Sequence, residues 1–402
     1  MMRTKLTNLL GILTVPLLLL SCSKNKTMEP ISPASTKILA LASTAQPAVA
    51  SDGSYVLMTF NIREDAPDTG NRNWSVRRPL VKERIDVNGA DIIGVQEAKG
   101  NQVSDMETDL PGFYRIGTGR DGNGSSEHSC IFYRTSRFKA LNSGTFWLSP
   151  GAPTTATGPS WDAAYKRICS WAQFHDKSTS LKFWVFVTHF DQKGKVARDS
   201  STNLILSQIQ SKIGAQPAIF MGDLNCTQTS VPYATLNNSS LLEETWNIAA
   251  SKAPTSRGTF NGWNINSTSN DQIDHIFVTG EWTVSSRLVD LYYKTPGNIV
   301  PSDHWPVIAQ MKINGVTFFQ DAQYGGDASQ TLPVGNYTLS QLIARGMPND
   351  WASSVKVPSG RKVIMYADDN FSGTSWTLTS DTPLFSALSP TANDKVSSVK
   401  VE

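Results

Sequence analysis

The sequence has 402 residues, with 36 Lys plus Arg and 34 Asp plus Glu, and its formal net charge at pH 7 is +2. This length is too great for one ordinary hydrophobic core and predicts two domains behind an N-terminal segment. Residues 51–314 contain 25 basic and 25 acidic side chains, so this region lacks the net positive charge that attracts a polyanion. That balance weakens the case for a nuclease but does not exclude a local basic patch.

The first 50 residues have the composition of an export signal and a tether. A basic start precedes an apolar run that is too short, and too interrupted by Pro16, to favour a membrane span. The run ends in Leu19-Leu20-Ser21-Cys22, which resembles the cleavage box of bacterial lipoproteins and implies lipidation of Cys22. The alternative is a plain signal peptide with an incidental cysteine. We expect a signal peptide at 1–21, a flexible tether at 22–50 and a cell-envelope lipoprotein that faces the periplasm or the exterior.

The remaining cysteines are Cys130, Cys169 and Cys226. Their number is odd, two of them lie in apolar strand-like runs, and none has the Cys-x-x-Cys spacing of a zinc site. Although export makes disulfides chemically feasible, buried free thiols are the simpler expectation.

Strand-like and helix-like runs alternate from residue 54 to residue 313. Continuous apolar runs predict strands, and apolar residues at helical spacing predict helices at 74–88 and from residue 195. The predicted strands lie at 54–63, 92–97, 127–134, 165–174, 181–191, 217–225, 273–278 and 305–313. Strands interleaved with helices indicate an α/β layered architecture.

Polar side chains recur at one end of these strands. They are Asn61, Glu97, His189, Asp223, Asn225, Asp274, Asp303 and His304. Each alone has an ordinary explanation, as a turn former, a cap or a core histidine. Their recurrence predicts one shared site, and carboxylates that cluster without lysines require a cation.

Six segments in this order resemble the signatures of the endonuclease/exonuclease/phosphatase superfamily, which includes DNase I, deadenylases, sphingomyelinases and inositol polyphosphate phosphatases. The segments are Thr59-Phe60-Asn61, Val95-Gln96-Glu97, Thr188-His189, Gly222-Asp223-Leu224-Asn225, Ile273-Asp274-His275-Ile276 and Ser302-Asp303-His304. The resemblance implies a DNase I-like four-layer α/β sandwich over 51–314, with a divalent-metal site at one rim.

The resemblance also implies roles for the metal side of the site. Asn61 and Glu97 are expected to hold Mg²⁺ or Mn²⁺, with Asp303 close to the ion. Asp223 is expected to orient or deprotonate the attacking water, and Asn225 to hold that water or a phosphate oxygen.

The phosphate side of the site follows from the same resemblance. His304 is expected to contact the phosphate, with Asp274 fixing its tautomer. His189 is expected to be a second such histidine with Glu127 as its carboxylate partner. Arg167 matches a phosphate-binding arginine, although it could instead be a solvated strand residue.

The sequence predicts a phosphoesterase that acts on a phosphodiester, and two alternatives remain open beside this first function. This first function is a metal-dependent phosphodiesterase of nuclease type, acting by in-line attack of water. The second is a sphingomyelinase-like enzyme or a sugar or inositol phosphate phosphatase. The third is a calcium-binding surface protein with a vestigial site. The partner is accordingly a phosphate ester, a nucleic acid or a phospholipid head group, and we expect a monomer.

Residues 315–402 contain an internal duplication. An aromatic and glycine-rich segment at 319–326 recurs at 366–373, and Asn349-Asp350-Trp351-Ala352-Ser353-Ser354 recurs as Asn393-Asp394-Lys395-Val396-Ser397-Ser398. The pair resembles a βγ-crystallin domain, a small all-β fold of two Greek keys. That resemblance implies Ca²⁺ binding through Asn349, Asp350, Ser353, Asn393, Asp394 and Ser397. The alternative is a purely structural sandwich in which these residues form turns.

Overall fold

The computed structural model describes residues 54–179, 181–214 and 216–402. The signal peptide, the tether and Cys22 therefore lie outside the described residues, and their assignments stay predictions. No helix within the described ranges is long and apolar enough to cross a membrane.

The described chain contains six α-helices and nineteen β-strands. The helices are α1 (Trp74–Asn88), α2 (Gly100–Asp109), α3 (Lys195–Ile213), α4 (Val231–Asn237), α5 (Thr245–Ile248) and α6 (Leu339–Ile343). The strands up to residue 313 are β1 (Tyr55–Asn61), β2 (Ile92–Ala98), β3 (Phe113–Ile116), β4 (His128–Arg134), β5 (Phe138–Trp147), β6 (Ile168–Asp176), β7 (Lys182–His189), β8 (Ala218–Asp223), β9 (Glu243–Glu244), β10 (Ser251–Ala253), β11 (Asp274–Val278), β12 (Trp282–Val289) and β13 (Val307–Ile313). The later strands are β14 (Thr317–Phe319), β15 (Gly335–Tyr337), β16 (Ser354–Lys356), β17 (Val363–Asp368), β18 (Ser372–Leu378) and β19 (Ser398–Val401).

Two mixed sheets form the larger part of the fold. Their strand orders are β10-β12-β13-β1-β2-β4-β3 and β5-β6-β7-β8-β11-β9. Apolar side chains from the facing surfaces of both sheets, such as Leu57 and Phe183, form one buried core between them. The outer surface of the first sheet packs on α1 and α2, and that of the second packs on α3 and α4. The predicted four-layer α/β sandwich is confirmed.

Local signals explain why some elements match the sequence prediction closely. Helix α1 begins after Asn73, whose side chain accepts a hydrogen bond from the backbone N–H of Ser75, and it ends at Gly89 with φ +63°. These are the start and end that the sequence predicts for 74–88. Strands β5 and β12 have no counterpart among the predicted strands because polar residues break their apolar pattern.

Residues 316–401 form a separate hydrophobic core that includes Phe318, Val355, Met365 and Val399. The two repeats pair with each other within this core. Strand β15 of the first repeat pairs with β19 of the second, and Val355 of the first repeat forms a β-bridge with Thr382 of the second. This all-β region has the βγ-crystallin-like fold that its sequence predicts. The border at 314/315 stays a prediction.

The three cysteines of the described chain, Cys130, Cys169 and Cys226, are buried and free. Burial raises the pKa of the Cys130 and Cys226 thiols to about 12, so both remain protonated at neutral pH. The expectation of free thiols is confirmed, and their role is packing.

Candidate active site

The predicted polar residues meet at one edge of the two-sheet sandwich. Strands β1, β2, β7 and β8 all end there, and the registers of the second sheet place Asp223 opposite both His189 and Asp274. The sequence reading put Asp274 at the end of a strand, which is wrong. Asp274 begins β11, and it reaches the same edge because β11 runs antiparallel to β8.

Asn61 lies at the centre of this edge. Its Nδ2 donates hydrogen bonds to Oε1 of Glu97 and Oδ2 of Asp223, both at 2.9 Å, and lies 3.4 Å from Nε2 of His304. One amide group therefore joins residues from both sheets. Because the side chain of Asn61 is buried, the spacing of the two carboxylates is fixed by the fold rather than by solvent.

The same residues fit a divalent cation. Glu97, Asp223 and His304 each offer one ligand atom, and these atoms lie within 4.8 Å of one another. Since His304 forms an ion pair with Asp274, the oxygen ligands of the cluster are the carboxylates of Glu97 and Asp223, and hard oxygen ligands suit Mg²⁺ or Mn²⁺. Asn61 turns its Nδ2 toward these carboxylates, and its Oδ1 accepts from the backbone N–H of Arg63.

Asp303 is not one of the three residues whose ligand atoms converge, and its expected place close to the ion stays a prediction. Its carboxylate accepts a hydrogen bond from Oγ of Ser302 at 3.3 Å, and its backbone carbonyl accepts from the N–H groups of Asn261 and Gly262. Asp303 therefore ties the loop after Thr259 to this edge of the sheet.

The His304 and Asp274 pair is buried and charged. Nδ1 of His304 lies 2.9 Å from Oδ2 of Asp274. Burial opposes a charge on the imidazole, yet the carboxylates of Asp274 and Asp223 outweigh it and raise the pKa of His304 well above its ordinary value. Burial, together with the charge of Asp274, raises the pKa of Asp223 to about 7. The edge thus holds an imidazolium beside a carboxyl group that can exchange a proton near neutral pH.

His189 has the opposite character. Burial, followed by the positive charges of Arg167 and His304, lowers the pKa of His189 well below its ordinary value. Its Nε2 lies 3.0 Å from Nδ2 of Asn225 and 3.4 Å from Oδ2 of Asp223. The second histidine is therefore neutral and held by an amide, whereas His304 is held by a carboxylate.

The expected pairing of His189 with Glu127 is wrong. Glu127 instead forms an ion pair with Arg120 at 2.6 Å. The glycine-rich loop before β4 brings Arg120 back antiparallel to Glu127, and the backbone N–H of Arg120 also donates to the carbonyl of Glu127. Burial raises the pKa of Glu127 to about 7, although Arg120 opposes the shift.

Arg167 is buried beside His189, and its expected phosphate-binding role stays a prediction. Its Nε lies 3.5 Å from a carboxylate oxygen of Asp191, and its guanidinium also donates to Gln192. Asp191 further accepts hydrogen bonds from the backbone N–H groups of Lys193 and Gly194. Arg167 is therefore held from one side by the turn that follows β7.

Two structural residues of this site were missed by the sequence reading. Buried Arg77 of α1 donates to the carbonyls of Ile62 and Pro301, and Oγ of Ser302 donates to the carbonyl of Asn61 at 2.7 Å. Both tie the segment that carries His304 to the end of β1. Ser302 could have been found from its place in the Ser-Asp-His motif, whereas Arg77 has no signal beyond its place in a helix.

Backbone conformation supports the importance of this edge. Arg63, Glu97 and Asn225 all have positive φ, at +58°, +62° and +47°. Non-glycine residues adopt this region at a cost of about 1–3 kcal/mol each, and such residues concentrate at functional sites. The Glu97 conformation coincides with the irregular pairing of β2 with β4, which turns its carboxylate toward the site.

A second pair of candidate positions lies in the all-β region. Asp350 and Asp394 occupy equivalent places in the two repeats, with φ of +52° and +51°. Oγ of Ser353 in the first repeat lies 3.4 Å from Oδ1 of Asp394 in the second. In the matching position Ser397 donates to the carbonyl of Ala367, and Asn349 and Asn393 each donate to the aspartate that follows them.

An acidic, histidine-containing edge on a DNase I-like sandwich defines the class of metal-dependent phosphoester hydrolases. The model of the endonuclease/exonuclease/phosphatase family matches residues 58–304. The chain belongs to this family.

Two solved structures extend the comparison. The mannosyl-6-phosphatase of Bacteroides thetaiotaomicron is 34% identical, with 64% of this chain and 99% of that chain covered and a TM-score of 0.61. An endonuclease/exonuclease/phosphatase protein from Bacteroides vulgatus is also 34% identical, with 65% and 99% covered and a TM-score of 0.60.

The C-terminal region has its own relative. Development-specific protein S of Myxococcus xanthus is 38% identical over 86 residues, which are 21% of this chain and 47% of that protein. The chain thus spans about half the length of this curated relative. The resemblance of the C-terminal region to the βγ-crystallins is confirmed.

Proposed function

We propose that the protein is a divalent-metal-dependent hydrolase of phosphate esters. The observation that carries the proposal is the single hydrogen-bonded group in which Asn61 joins Glu97, Asp223 and the His304 imidazole. This group combines oxygen ligands for a cation, a carboxyl group with a near-neutral pKa and a fixed positive charge. Phosphoryl transfer requires these three elements.

Each residue has a defined task in this proposal. Glu97 and Asn61 would hold the cation, with the Asn61 amide turned so that Oδ1 replaces Nδ2 on the side of Glu97, and the ion would supply charge neutralisation to the phosphoryl oxygens. Asp223 takes the proton of the attacking water, because its carboxylate lies in the same cluster as Glu97 and His304. His304 binds a phosphoryl oxygen as a cation, and Arg167 offers a second positive charge. Neutral His189 and Asn225 orient the water or a non-bridging oxygen by hydrogen bonds.

We place a sugar phosphomonoester first among the substrates. The balanced charge of residues 51–314 argues against a long polyanion, and the similarity to a mannosyl-6-phosphatase favours a phosphorylated sugar. A phosphodiester of nucleic-acid or sphingomyelin type stays as the second candidate, and the same site chemistry would serve it.

Metal removal and a substrate panel test the proposal. We expect EDTA to abolish hydrolysis and Mg²⁺ or Mn²⁺ to restore it, with mannose 6-phosphate cleaved faster than DNA, RNA or sphingomyelin. Phosphate release measures the first substrate, and gel and lipid assays measure the others. Hydrolysis that persists after complete chelation would contradict the assignment of Glu97 and Asn61.

The Asp274→Asn substitution should weaken catalysis and change its pH dependence. Asp274 raises the pKa of His304, so wild-type His304 keeps its charge at neutral pH and loses it only well above that range. Without that carboxylate the imidazole loses its charge at lower pH. We expect about a tenfold to hundredfold lower kcat/KM at pH 8, and a smaller loss at pH 6. A pH profile with the same loss at both values would contradict this role of Asp274.

We also propose that the C-terminal region binds Ca²⁺ at two sites shared between its repeats. The contact of Ser353 with Asp394 supports shared sites, because a ligand set drawn from both repeats would link them. We expect Ca²⁺ at about 100 times its Kd to stabilise the region by ~2.7 kcal/mol for each occupied site. Calorimetric titration should show two sites in the wild type and one site in each of the variants Asp394→Ala and Asp350→Ala. Unchanged stoichiometry in both variants would favour the purely structural alternative.

Export and lipidation at Cys22 complete the proposal. The motif at 19–22 supports them, and a wild-type protein that is exported without a lipid on Cys22 and stays in the soluble fraction would argue for a plain signal peptide.

A further inference from the structure

A groove of about 470 Å³ lies between the free edges of the two sheets. One wall is β3, the last strand of the seven-stranded sheet, and the other is β5, the last strand of the six-stranded sheet. Edge strands present backbone N–H and C=O groups that no neighbouring strand uses. The groove therefore offers hydrogen-bonding groups from its backbone as well as from its side chains.

Hydroxyl groups and one exposed aromatic ring dominate the lining. Among the described residues, the hydroxyls of Thr118, Ser143 and Thr154 have no hydrogen-bond partner and are free for a ligand. Tyr114 lies on β3 and is 61% exposed, with its ring held edge-on by Tyr133 at 5.9 Å. An exposed, fixed aromatic ring beside free hydroxyls suits a sugar, which has a C–H face and a rim of hydroxyls.

Charge disfavours the main alternative occupant, a nucleic acid strand. The one basic side chain that lines the groove is Arg115, and its Nε is paired with Glu107 at 2.7 Å. A groove without net positive charge has no electrostatic hold on a phosphate backbone. A neutral polyhydroxylated ligand incurs no such disadvantage.

The groove reaches the level of the catalytic edge at Trp147, which pairs with Ile168, the residue that follows Arg167. Thr118 lines it, and Arg120, two residues along the same chain segment, lines a small cavity together with Arg167 and His189. The indole N–H of Trp147, which lines the groove, donates to the carbonyl of Arg120 at 2.7 Å. A ligand in the groove would therefore approach the phosphate-binding side of the site past Arg120.

We propose that this groove binds the non-reacting sugar units of a phosphorylated oligosaccharide. The inference rests on the proposed phosphatase function, which concerns the phosphorylated end of the substrate. It adds a binding site for the sugar units that do not react. The substrate class is then an oligosaccharide phosphate, with the phosphorylated unit at His304 and further units against Tyr114.

Two measurements on the purified full-length chain test the groove. The first compares kcat/KM for mannose 6-phosphate and for a mannotriose phosphorylated at its terminal unit. The second is calorimetric titration with neutral mannotriose, which requires no catalysis. For Tyr114→Ala we expect about a threefold to tenfold higher KM and Kd for the trisaccharides, with mannose 6-phosphate kinetics unchanged.

Leu141→Ala is the matched control, because Leu141 is exposed on β5 and does not line the groove. Equal losses for monosaccharide and trisaccharide, or no loss in Tyr114→Ala, would overturn the groove assignment. If wild type cleaves no sugar phosphate, the proposed substrate fails, and titration alone then decides the groove. Mannotriose binding that depends on Tyr114 would support it, and absence of binding at millimolar concentration would overturn it.

Discussion

Replacing Asp223 by Asn should lower kcat/KM for phosphate-ester hydrolysis by about a thousandfold or more, because the variant has no carboxylate to accept the proton of water. The substitution is isosteric, and its single amide oxygen can still accept from the backbone N–H of Asn225, whereas the hydrogen bond from Nδ2 of Asn61 is lost. The fold should therefore persist. Steady-state kinetics at saturating Mg²⁺, with circular dichroism as the check on folding, measure the effect.

His304→Gln should produce a comparable loss, since glutamine keeps a hydrogen-bonding group but not the positive charge. Asp271→Asn is the control, because Asp271 is an exposed carboxylate on the loop that precedes β11 and contacts Ser269 rather than the site. Activity within about tenfold of wild type in both Asp223→Asn and His304→Gln would refute the proposed function. A loss of activity in Asp271→Asn would instead indicate that activity depends on the overall charge near the site.

Much of this site could be predicted from the sequence because strand ends have a simple geometry. A continuous apolar run that ends in a polar residue identifies the edge at which the residue emerges, as with Asn61 and Asp223. The resemblance of the six motifs to one superfamily then predicted the four-layer fold. The same reasoning placed Asp274 at the wrong end of its strand. A pattern of apolar and polar residues does not reveal whether a strand begins or ends at the edge that carries the site.

The sequence could not predict which groups the carboxylates of Glu127 and Asp303 would contact. Glu127 could reach several cations, and the turn of the glycine-rich loop decides that Arg120 is the nearest. Asp303 lies next to His304 in the chain, yet successive residues project in different directions, so its carboxylate meets Ser302. Such pairings depend on side-chain direction and on loops, which hydrophobic periodicity does not encode.

The largest effect on stability is expected for Arg137→Leu, which acts at the start of β1 rather than at its catalytic end. Arg137 is 2% exposed, and its guanidinium donates to Asp176 at 3.0 Å and to Asp91 at 3.1 Å. It also lies over the ring of Tyr55, 4.2 Å from the centroid. Leucine would leave the buried carboxylate of Asp176 without a cation and Asp91 with Arg134 alone, 3.7 Å away, and we expect about 3–5 kcal/mol loss in the free energy of unfolding.

The pH dependence of that loss distinguishes its cause. Burial opposes the charge of Asp176, yet hydrogen bonds from Ser178 and Arg137 lower its pKa, so its contribution is present at neutral pH and lost in acid. In Arg137→Leu the unpaired carboxylate of Asp176 can take up a proton, and the difference from wild type should shrink as the pH falls toward 4. Urea unfolding at pH 7 and pH 4 measures both values.

Arg78→Leu is the control, since Arg78 pairs with Asp105 and Asp109 at the surface, and this substitution should lower the free energy of unfolding by about 1 kcal/mol or less. A loss that is equal at both pH values would assign the effect of Arg137 to packing against Tyr55 rather than to charge.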